Sequence, residues 1–293
     1  MTNSPHTAAL ALAPHTAPNT APDTALLAVV FDWAGTLVDF GSLAPMGAFV
    51  DLFARHDIQI SIAQARIPMG LPKRAHIVAL GALPEIDQQW QALYRRALSA
   101  NDADELLAEF EPMSAASALQ NSQLIDGVLE TMAYLQARGM GVATTTGYTR
   151  RIMLPVIEAA AAQGFAPSLV VCCDDVARSR PDPMGMALCM KHLGLSPDTD
   201  AARVVKVDDT VPGIEEGLNA GCWTVGVAAS GNALGWTAKA WDSASADERE
   251  VALRSATAQL LAGGAHEVIA TVADLPAALA RIEQRMANGE RPA

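Results

Sequence analysis

Cysteine is scarce in this chain, with four residues among 293. They are Cys172, Cys173, Cys189 and Cys222. No two of them form a C-x-x-C pair, and no histidine stands at a zinc-type spacing from them. This pattern excludes a disulfide scaffold and a zinc module. It favours buried thiols, and hence a reducing, cytoplasmic setting.

Positive charge and long apolar runs are lacking too. The 20 Lys and Arg residues face 32 Asp and Glu residues, which gives a formal charge of −12 and a pI near 4.8. Such a balance argues against a nucleic-acid partner, because a surface that follows phosphates needs excess positive charge. A small anionic ligand remains compatible with a local site. No apolar stretch reaches the roughly 18 residues of a membrane helix, so no membrane association is predicted.

Hydrophobic residues make up 51% of the chain and charged residues 18%, which predicts a sizeable buried core. Its length suits one large domain with a second, smaller one. Residues 1–24 are rich in Ala, Thr and Pro and contain no Lys or Arg. They lack the charged start of a signal peptide, and they predict a disordered N-terminal extension.

Apolar runs alternate with helix-like segments over residues 25–41 and 121–293. Strands this apolar are typical of a parallel sheet that is buried on both faces. Residues 42–120 interrupt the alternation with helical periodicity and no convincing strand. The sequence therefore predicts an α/β fold, a Rossmann-like parallel sheet core, with an inserted α-helical cap.

Four of the apolar runs end in reactive side chains. These ends are Asp32, Thr144–Gly147, Asp174–Asp175 and Asp208–Asp209. Because ligands of parallel sheets bind beyond the carboxyl ends of the strands, the four ends predict one site. Taken singly, each could be a helix cap; together they favour a functional edge.

Asp32 and Asp209 are expected to meet across this edge. Two carboxylates and a bound phosphate supply the oxygen ligands that Mg²⁺ prefers. Gly35 and Thr36 follow Asp32, and their backbone amides are predicted to turn inward around an anion.

Three further residues are expected around the same anion. Arg180 offers a fixed cation for the phosphate or for the carboxylates, while Thr146 and Gly147 offer a hydroxyl and an amide.

The run Asp32-Trp-Ala-Gly-Thr-Leu-Val resembles motif I of the haloacid dehalogenase superfamily. Thr146, Arg180-Pro and Asp209 stand where its other motifs belong. The resemblance implies that Asp32 attacks phosphorus and forms an aspartyl-phosphate. Superfamily members usually carry a general acid two residues after that Asp, where this chain has Ala34. The departure weakens the reading as an ordinary phosphatase.

Within the superfamily, the chain is most similar to the phosphonoacetaldehyde hydrolase (phosphonatase) family. The likeness spans residues 26–284 and is carried by FDWAGTLVDFGSLAP, PMGLPKRAH, TTTGYTR and VVKVDDTVPGIEEGLNAGCWTVG. It implies Mg²⁺-dependent hydrolysis of the P–C bond of phosphonoacetaldehyde to acetaldehyde and phosphate, in 2-aminoethylphosphonate degradation. It also implies a homodimer formed through the cap, Ala34 as a metal ligand through its carbonyl, and Met69 and Tyr148 in the pocket.

Lys73 explains how the reaction can proceed without the usual general acid. A carbon leaving group needs an electron sink, and a lysine imine with the aldehyde supplies one. Pro72 suits the first position of a helix, which places Lys73 in the first turn, where the helix dipole disfavours a cation. Met69 and Leu71 are expected to desolvate the amine. His76, one helical turn onward, is a candidate proton relay.

The metal shell is incomplete by this pattern. Where superfamily members often have another acid, four residues after the metal Asp, this chain has Gly213. Water, or Asp208 acting from behind the metal ligands, could fill the gap. Two alternatives to the phosphonatase reading stay open: a phosphomonoesterase or phosphomutase on the same scaffold, and a non-catalytic phospholigand-binding protein.

Overall fold

A computed structural model describes residues 10–11 and 25–292. Its central feature is a parallel sheet of six strands in the order β5-β3-β2-β6-β7-β8. In chain order these strands are β2 (Ala28–Phe31), β3 (Gly141–Thr145), β5 (Val170–Val171), β6 (Val204–Asp208), β7 (Trp223–Val227) and β8 (Glu267–Ile269). The inner strands β2, β3, β6 and β7 are buried along their whole length, as their apolar sequences predict.

Two further strands pair outside this sheet, β1 (Leu10–Ala11) with β4 (Phe165–Ala166). Composition predicts disorder over residues 1–24, so the pairing of Leu10–Ala11 departs from that expectation. Residues 1–9 and 12–24, the rest of the predicted extension, lie outside the described residues.

Residues 42–120 hold five helices and no strand. The helices are α1 (Ala44–Arg55), α2 (Ile62–Arg66), α3 (Lys73–Gly81), α4 (Pro84–Tyr94) and α5 (Ala100–Gln120). We call residues 42–120 the cap segment. Its aromatic side chains Phe49, Trp90 and Phe110 are buried in the same hydrophobic cluster as Phe31 and Val207 of the sheet. The division into cap and core domains stays a prediction, since this cluster runs through both.

The remaining helices alternate with the strands and cover the sheet. They are α6 (Val128–Ala137), α7 (Arg150–Ala162), α8 (Met184–His192), α9 (Val211–Asn219), α10 (Ala238–Ser243), α11 (Ala246–Ala262) and α12 (Leu275–Ala287). Ser245 caps α11, and Glu248 returns the bond to the Ser245 amide. The predicted α/β fold with a parallel sheet and a helical insertion is confirmed. Among the residues that the structure describes, no helix is both long and apolar enough to cross a membrane.

Candidate active site

The carboxyl ends of three neighbouring strands bring the predicted site residues together. β2 lies between β3 and β6, so Asp32, Thr146 and Asp209 follow adjacent strands at one edge. The fourth predicted end differs. Asp174 accepts a bond from the Arg150 amide at 2.8 Å and Asp175 pairs with the Arg150 guanidinium, so both hold the start of α7.

A cavity lies between this edge and the cap segment. Predicted site residues that line it are Asp32, Ala34, Met69, Lys73, Thr146, Gly147, Tyr148, Arg180 and Asp209. Sequence reasoning missed Ser42, Pro45, Gly70 and Thr210, which line it too. The cavity brings together two carboxylates and an amine, on Asp32, Asp209 and Lys73, that are far apart in the chain.

Gly35 and Thr36 do not line this cavity, contrary to the anion cradle predicted from the sequence. The Gly35 amide donates to the Val38 carbonyl at 2.7 Å, and the Thr36 amide donates to the Trp33 carbonyl at 3.2 Å. Gly35 has another use. Its φ is +84°, and a Cβ there would lie 2.2 Å from Oδ2 of Asp209. Only glycine lets this turn approach the carboxylate so closely.

Three buried carboxylates converge beneath the cavity. One oxygen from each of Asp32, Asp208 and Asp209 lies within 4.8 Å of the others. Oδ2 of Asp209 accepts a hydrogen bond from the backbone N–H of Asn232 at 2.7 Å, while its buried Oδ1 has no hydrogen-bond partner. Asp208 differs, because Thr210 donates to its Oδ1 and its Oδ2, which accepts no hydrogen bond, lies 3.1 Å from the Lys206 ammonium. The donor set fits a hard divalent cation, with Asp32 and Asp209 more available to it than Asp208.

The protonation of the three carboxylates differs with their surroundings. Burial, and then the charge of Asp208, raise the pKa of Asp32 to about 6 although Arg180 opposes the shift. Burial and the two neighbouring carboxylates raise the pKa of Asp209 well above its ordinary value. Burial acts in the same direction on Asp208, but Arg180 and Lys206 overcome it and its pKa is lowered. A cation bound here would relieve the repulsion that these shifts report.

Arg180 contacts the carboxylates directly, one of its two predicted uses. Its Nη2 lies 2.8 Å from Oδ1 of Asp32 and 3.3 Å from Oδ2 of Asp208. The same nitrogen donates to the backbone and hydroxyl of Thr145 at 3.0 and 2.9 Å. Fixed in this way, the guanidinium orients the predicted nucleophile.

Lys206 and Glu216 complete a buried ion network that sequence reasoning missed. Glu216 Oε2 accepts from Arg180 Nε at 3.0 Å and lies 3.2 Å from Lys206 Nζ. Lys206 also donates to the Thr145 hydroxyl at 2.6 Å. One signal was present in the sequence, since Lys206 is a charged residue within the apolar run RVVKVDD. Fully buried charges need partners, and these have them.

The described ionisable groups of this network include more acids than bases. Four carboxylates, on Asp32, Asp208, Asp209 and Glu216, meet the two cations of Arg180 and Lys206. With every group ionised the network carries two uncompensated negative charges, which a divalent cation would balance.

Lys73 reaches the cavity from the cap segment with an apolar environment around its amine. Its Nζ lies 4.6 Å from the centroid of the Tyr148 ring, 5.8 Å from that of Phe49 and 4.0 Å from Sδ of Met69. Burial lowers the pKa of Lys73 to about 8, although Cys173 and Asp32 oppose the shift. A neutral amine, which is the nucleophile in imine formation, is therefore accessible near physiological pH.

The start of α3 differs by one residue from the prediction. Pro72 precedes the helix in an extended conformation, and Lys73 is its first residue. The amine still belongs to the first turn, where the dipole disfavours its charge.

His76 is buried but does not line the cavity. Its Nε2 lies 2.9 Å from the Ala65 carbonyl, its ring stacks on Phe49 with centroids 3.9 Å apart, and Nδ1 has no partner. Burial, and then the charge of Lys73, hold the pKa of His76 well below its ordinary value. The ring is thus neutral, with Nε2 as the donor to Ala65 and Nδ1 as an acceptor without a partner. The relay role stays a prediction.

A family model described as haloacid dehalogenase-like hydrolase matches residues 26–221. The phosphonoacetaldehyde hydrolase of Salmonella paratyphi A is 47% identical over 267 residues, which cover 90% of this chain and 98% of the relative. The chain belongs to the phosphonoacetaldehyde hydrolase family of the haloacid dehalogenase-like hydrolases. A second family member, from Paraburkholderia phytofirmans, is 46% identical over 265 residues, with 90% and 98% covered.

A solved structure supports the same family. The phosphonoacetaldehyde hydrolase-like protein from Oleispira antarctica is similar to this chain with a TM-score of 0.88 and 40% identity, covering 91% of this chain and 96% of that one. The resemblance read from the motifs is confirmed, and the chain is a hydrolase. Membership favours an enzyme over the non-catalytic phospholigand-binding protein.

Proposed function

We propose that this enzyme hydrolyses the P–C bond of phosphonoacetaldehyde to acetaldehyde and phosphate. One observation carries the proposal: the buried Lys73 amine and the Asp32 carboxylate line one cavity, while the position of the usual acid holds Ala34. An ester phosphatase needs that acid and has no use for the amine. A phosphonatase needs the amine and not the acid. The names of the relatives agree with this assignment.

The reaction begins on Lys73. Its neutral Nζ attacks the aldehyde carbon, and loss of water leaves a protonated imine. The apolar surroundings of Met69, Phe49 and Tyr148 exclude bulk water from the amine. We propose His76 as the relay that takes up and returns protons during this step, through its unpartnered Nδ1.

Asp32 then carries out the phosphoryl transfer. A carboxylate oxygen attacks phosphorus, the P–C bond breaks, and its electron pair neutralises the iminium to give an enamine. Arg180 holds Asp32 in place at 2.8 Å. Thr146 and Gly147 line the cavity and supply a hydroxyl and an amide toward the phosphoryl oxygens.

Two waters complete the turnover. Protonation of the enamine carbon regenerates an imine, which water hydrolyses to acetaldehyde and the free Lys73 amine. The second water cleaves the aspartyl-phosphate, which releases phosphate and restores Asp32. Atoms balance as phosphonoacetaldehyde plus one net water, because the water lost in imine formation offsets one of the two that are consumed.

A divalent metal fits this site, and we propose Mg²⁺. Asp32, Asp209 and the carbonyl of Ala34 would hold it, with Asp208 supporting them from behind. When bound, the ion offsets the charge between the Asp32 carboxylate and the incoming dianion. The unpartnered Oδ1 of Asp209 and the convergence of three buried carboxylates support this choice of ligand class.

Three wider assignments follow from the family resemblance and belong to the same proposal. The enzyme works in the cytoplasm, in 2-aminoethylphosphonate degradation, and it forms a homodimer through the cap segment. The segment exposes several large apolar side chains, which are Ile62, Ile67, Val78, Leu93, Tyr94 and Leu119.

The deciding experiment measures acetaldehyde and phosphate released from phosphonoacetaldehyde, with and without Mg²⁺. Wild-type protein and Lys73→Arg are assayed side by side, and Asp32→Asn serves as a nucleophile variant. Equimolar products that require Mg²⁺, Lys73 and Asp32 support the whole proposal. Turnover of simple phosphate esters that is indifferent to Lys73→Arg would establish the phosphomonoesterase or phosphomutase alternative instead.

A further inference from the structure

Arg66, at the end of α2, crosses from the cap segment to the core. Its Nη1 donates to the carbonyl of Gly41 at 2.9 Å and to Oδ1 of Asn232 at 3.1 Å. Its Nη2 donates to the carbonyl of Gly235 at 3.4 Å. One guanidinium therefore joins the cap segment to the chain that enters it and to the loop 228–237 that follows β7.

The loop 228–237 leads directly to the carboxylate cluster. The backbone N–H of Asn232 donates to Oδ2 of Asp209 at 2.7 Å, and a Cβ on Gly231 would lie 2.7 Å from the Cβ of Asp209. The loop also reaches the turn after Asp32, since the Ser230 hydroxyl donates to the Gly35 carbonyl at 2.8 Å. A shift of this loop would therefore move the partner of Asp209.

The other end of the connection leads to the imine lysine. Arg66 is followed at once by the segment 67–72, which carries Met69 and Gly70 into the cavity and ends at Lys73. Gly235 fits the guanidinium closely, because a Cβ there would lie 2.6 Å from the Cζ of Arg66. The guanidinium thus lies directly against the loop backbone at position 235, and a side chain there would have to displace it.

We propose that Arg66 is a positioning residue that fastens the Lys73 segment to the loop 228–237 and, through Asn232, fixes Asp209. The proposal rests on the proposed function for its catalytic consequence, but not for its structural one. A guanidinium suits the task because its rigid fork donates to several carbonyl acceptors at once. A lysine ammonium does this less readily. Loss of Arg66 frees the two halves of the site to separate while leaving Lys73 and Asp32 in the chain.

Arg66→Ala is the test variant, and Arg74→Ala is its matched control. Arg74 is a cap-segment arginine too, but its guanidinium bonds stay within the segment, to Asp104 and to the Ala100 carbonyl. Amide hydrogen exchange of the substrate-free protein reports the contact itself. We expect Arg66→Ala to speed exchange in both 66–73 and 228–237 by about tenfold or more, and Arg74→Ala to leave 228–237 unchanged.

Kinetics and metal binding then report the coupling. Removal of a residue that orients ligands costs about 10–100-fold in activity or metal affinity, so we expect losses of that size in kcat/KM and in Mg²⁺ affinity for Arg66→Ala. Arg66→Lys should recover less than the full loss. Asn232→Ala should do less harm than Arg66→Ala, and the double variant should be no worse than Arg66→Ala alone.

Two results would overturn the proposal. One is unchanged exchange at 228–237 in Arg66→Ala, with kcat/KM within twofold of wild type. The other is a double variant whose loss is the product of the single losses, which would show that Arg66 and Asn232 act separately. If wild type fails to turn over phosphonoacetaldehyde, the proposed function fails instead, and the exchange experiment still decides the role of Arg66.

Discussion

Gly213 faces the carboxylate of Asp208 so closely that a Cβ at position 213 would lie 2.0 Å from the Cγ of Asp208. The resemblance implies an acid at position 213. The Asp208 carboxylate already fills the space that such a side chain would need. Asp208 is held there by Thr210, Lys206 and Arg180. The space beside position 213 is therefore occupied by a carboxylate that comes from strand β6.

Restoring the acid should therefore harm the enzyme. Gly213→Ala and Gly213→Asp force Asp208 to move, and we expect each to cost about 1–3 kcal/mol of unfolding free energy and to weaken Mg²⁺ binding. Chemical denaturation and a Mg²⁺ titration measure the two effects. Gly47→Ala in α1 is the control, because nothing lies within 4 Å of a Cβ there; it should be neutral or slightly stabilising. A Gly213→Asp protein with tighter Mg²⁺ binding would contradict this account.

Lys206 should matter for stability far more than an exposed lysine. Lys206→Met leaves Asp208 and Glu216 with one buried cation fewer, and we expect a loss of about 3–5 kcal/mol. Lys191→Met, at an exposed position of α8, should change stability by no more than about 0.5 kcal/mol. Urea unfolding of the two variants compares them directly. Equal stability of both proteins would show that the ion network contributes nothing.

Imine formation should follow the titration of Lys73. Its pKa is lowered to about 8 by burial, so the neutral fraction grows as pH rises through that value. We expect the rate at which borohydride traps acetaldehyde on the protein to rise between pH 6 and 9 and then level off. Mass spectrometry should locate the adduct on Lys73, and Lys73→Arg should give none. A midpoint near that of a free lysine, about 10, would refute the desolvated amine.

The same burial of Lys73 should lower the free energy of unfolding. With a pKa of about 8 when folded and 10.5 as the ordinary value, the unfolded chain binds more protons between these pH values, so stability rises with pH there. Below pH 8 the buried charge destabilises the native state in full. Lys73→Met should raise the unfolding free energy at pH 7 by about 1–3 kcal/mol and flatten that rise. Thermal unfolding at pH 7 and 10 tests both parts.

Strand-end chemistry was predictable from sequence because side chains at the carboxyl ends of neighbouring parallel strands must meet. Asp32, Thr146 and Asp209 followed that rule. Asp174 and Asp175 instead bind Arg150 at the start of α7. Pattern reasoning could not tell the two cases apart, because a helix cap and a ligand use the same residue types.

The buried ion network was harder to foresee for a different reason. Glu216 lies on α9 and Lys206 on β6, while Arg180 lies in a loop. The spacing of these residues in the sequence does not predict that their side chains meet. The Gly35 and Thr36 amides show the opposite failure: a glycine turn after a strand suggests an anion cradle, but here its amides close the turn on Val38 and Trp33. Both outcomes depend on tertiary contacts that local sequence does not encode.

The amine and the nucleophile belong to different stretches of the chain, Lys73 to the inserted helices and Asp32 to the sheet. On the proposed mechanism, the imine step and the phosphoryl-transfer step can therefore change independently in evolution. An insert that lost its lysine would leave a scaffold that still handles phosphoryl groups but no longer recognises aldehydes. A change of chemistry on this scaffold would then require changes in the insertion and at position 34, where an acid can return.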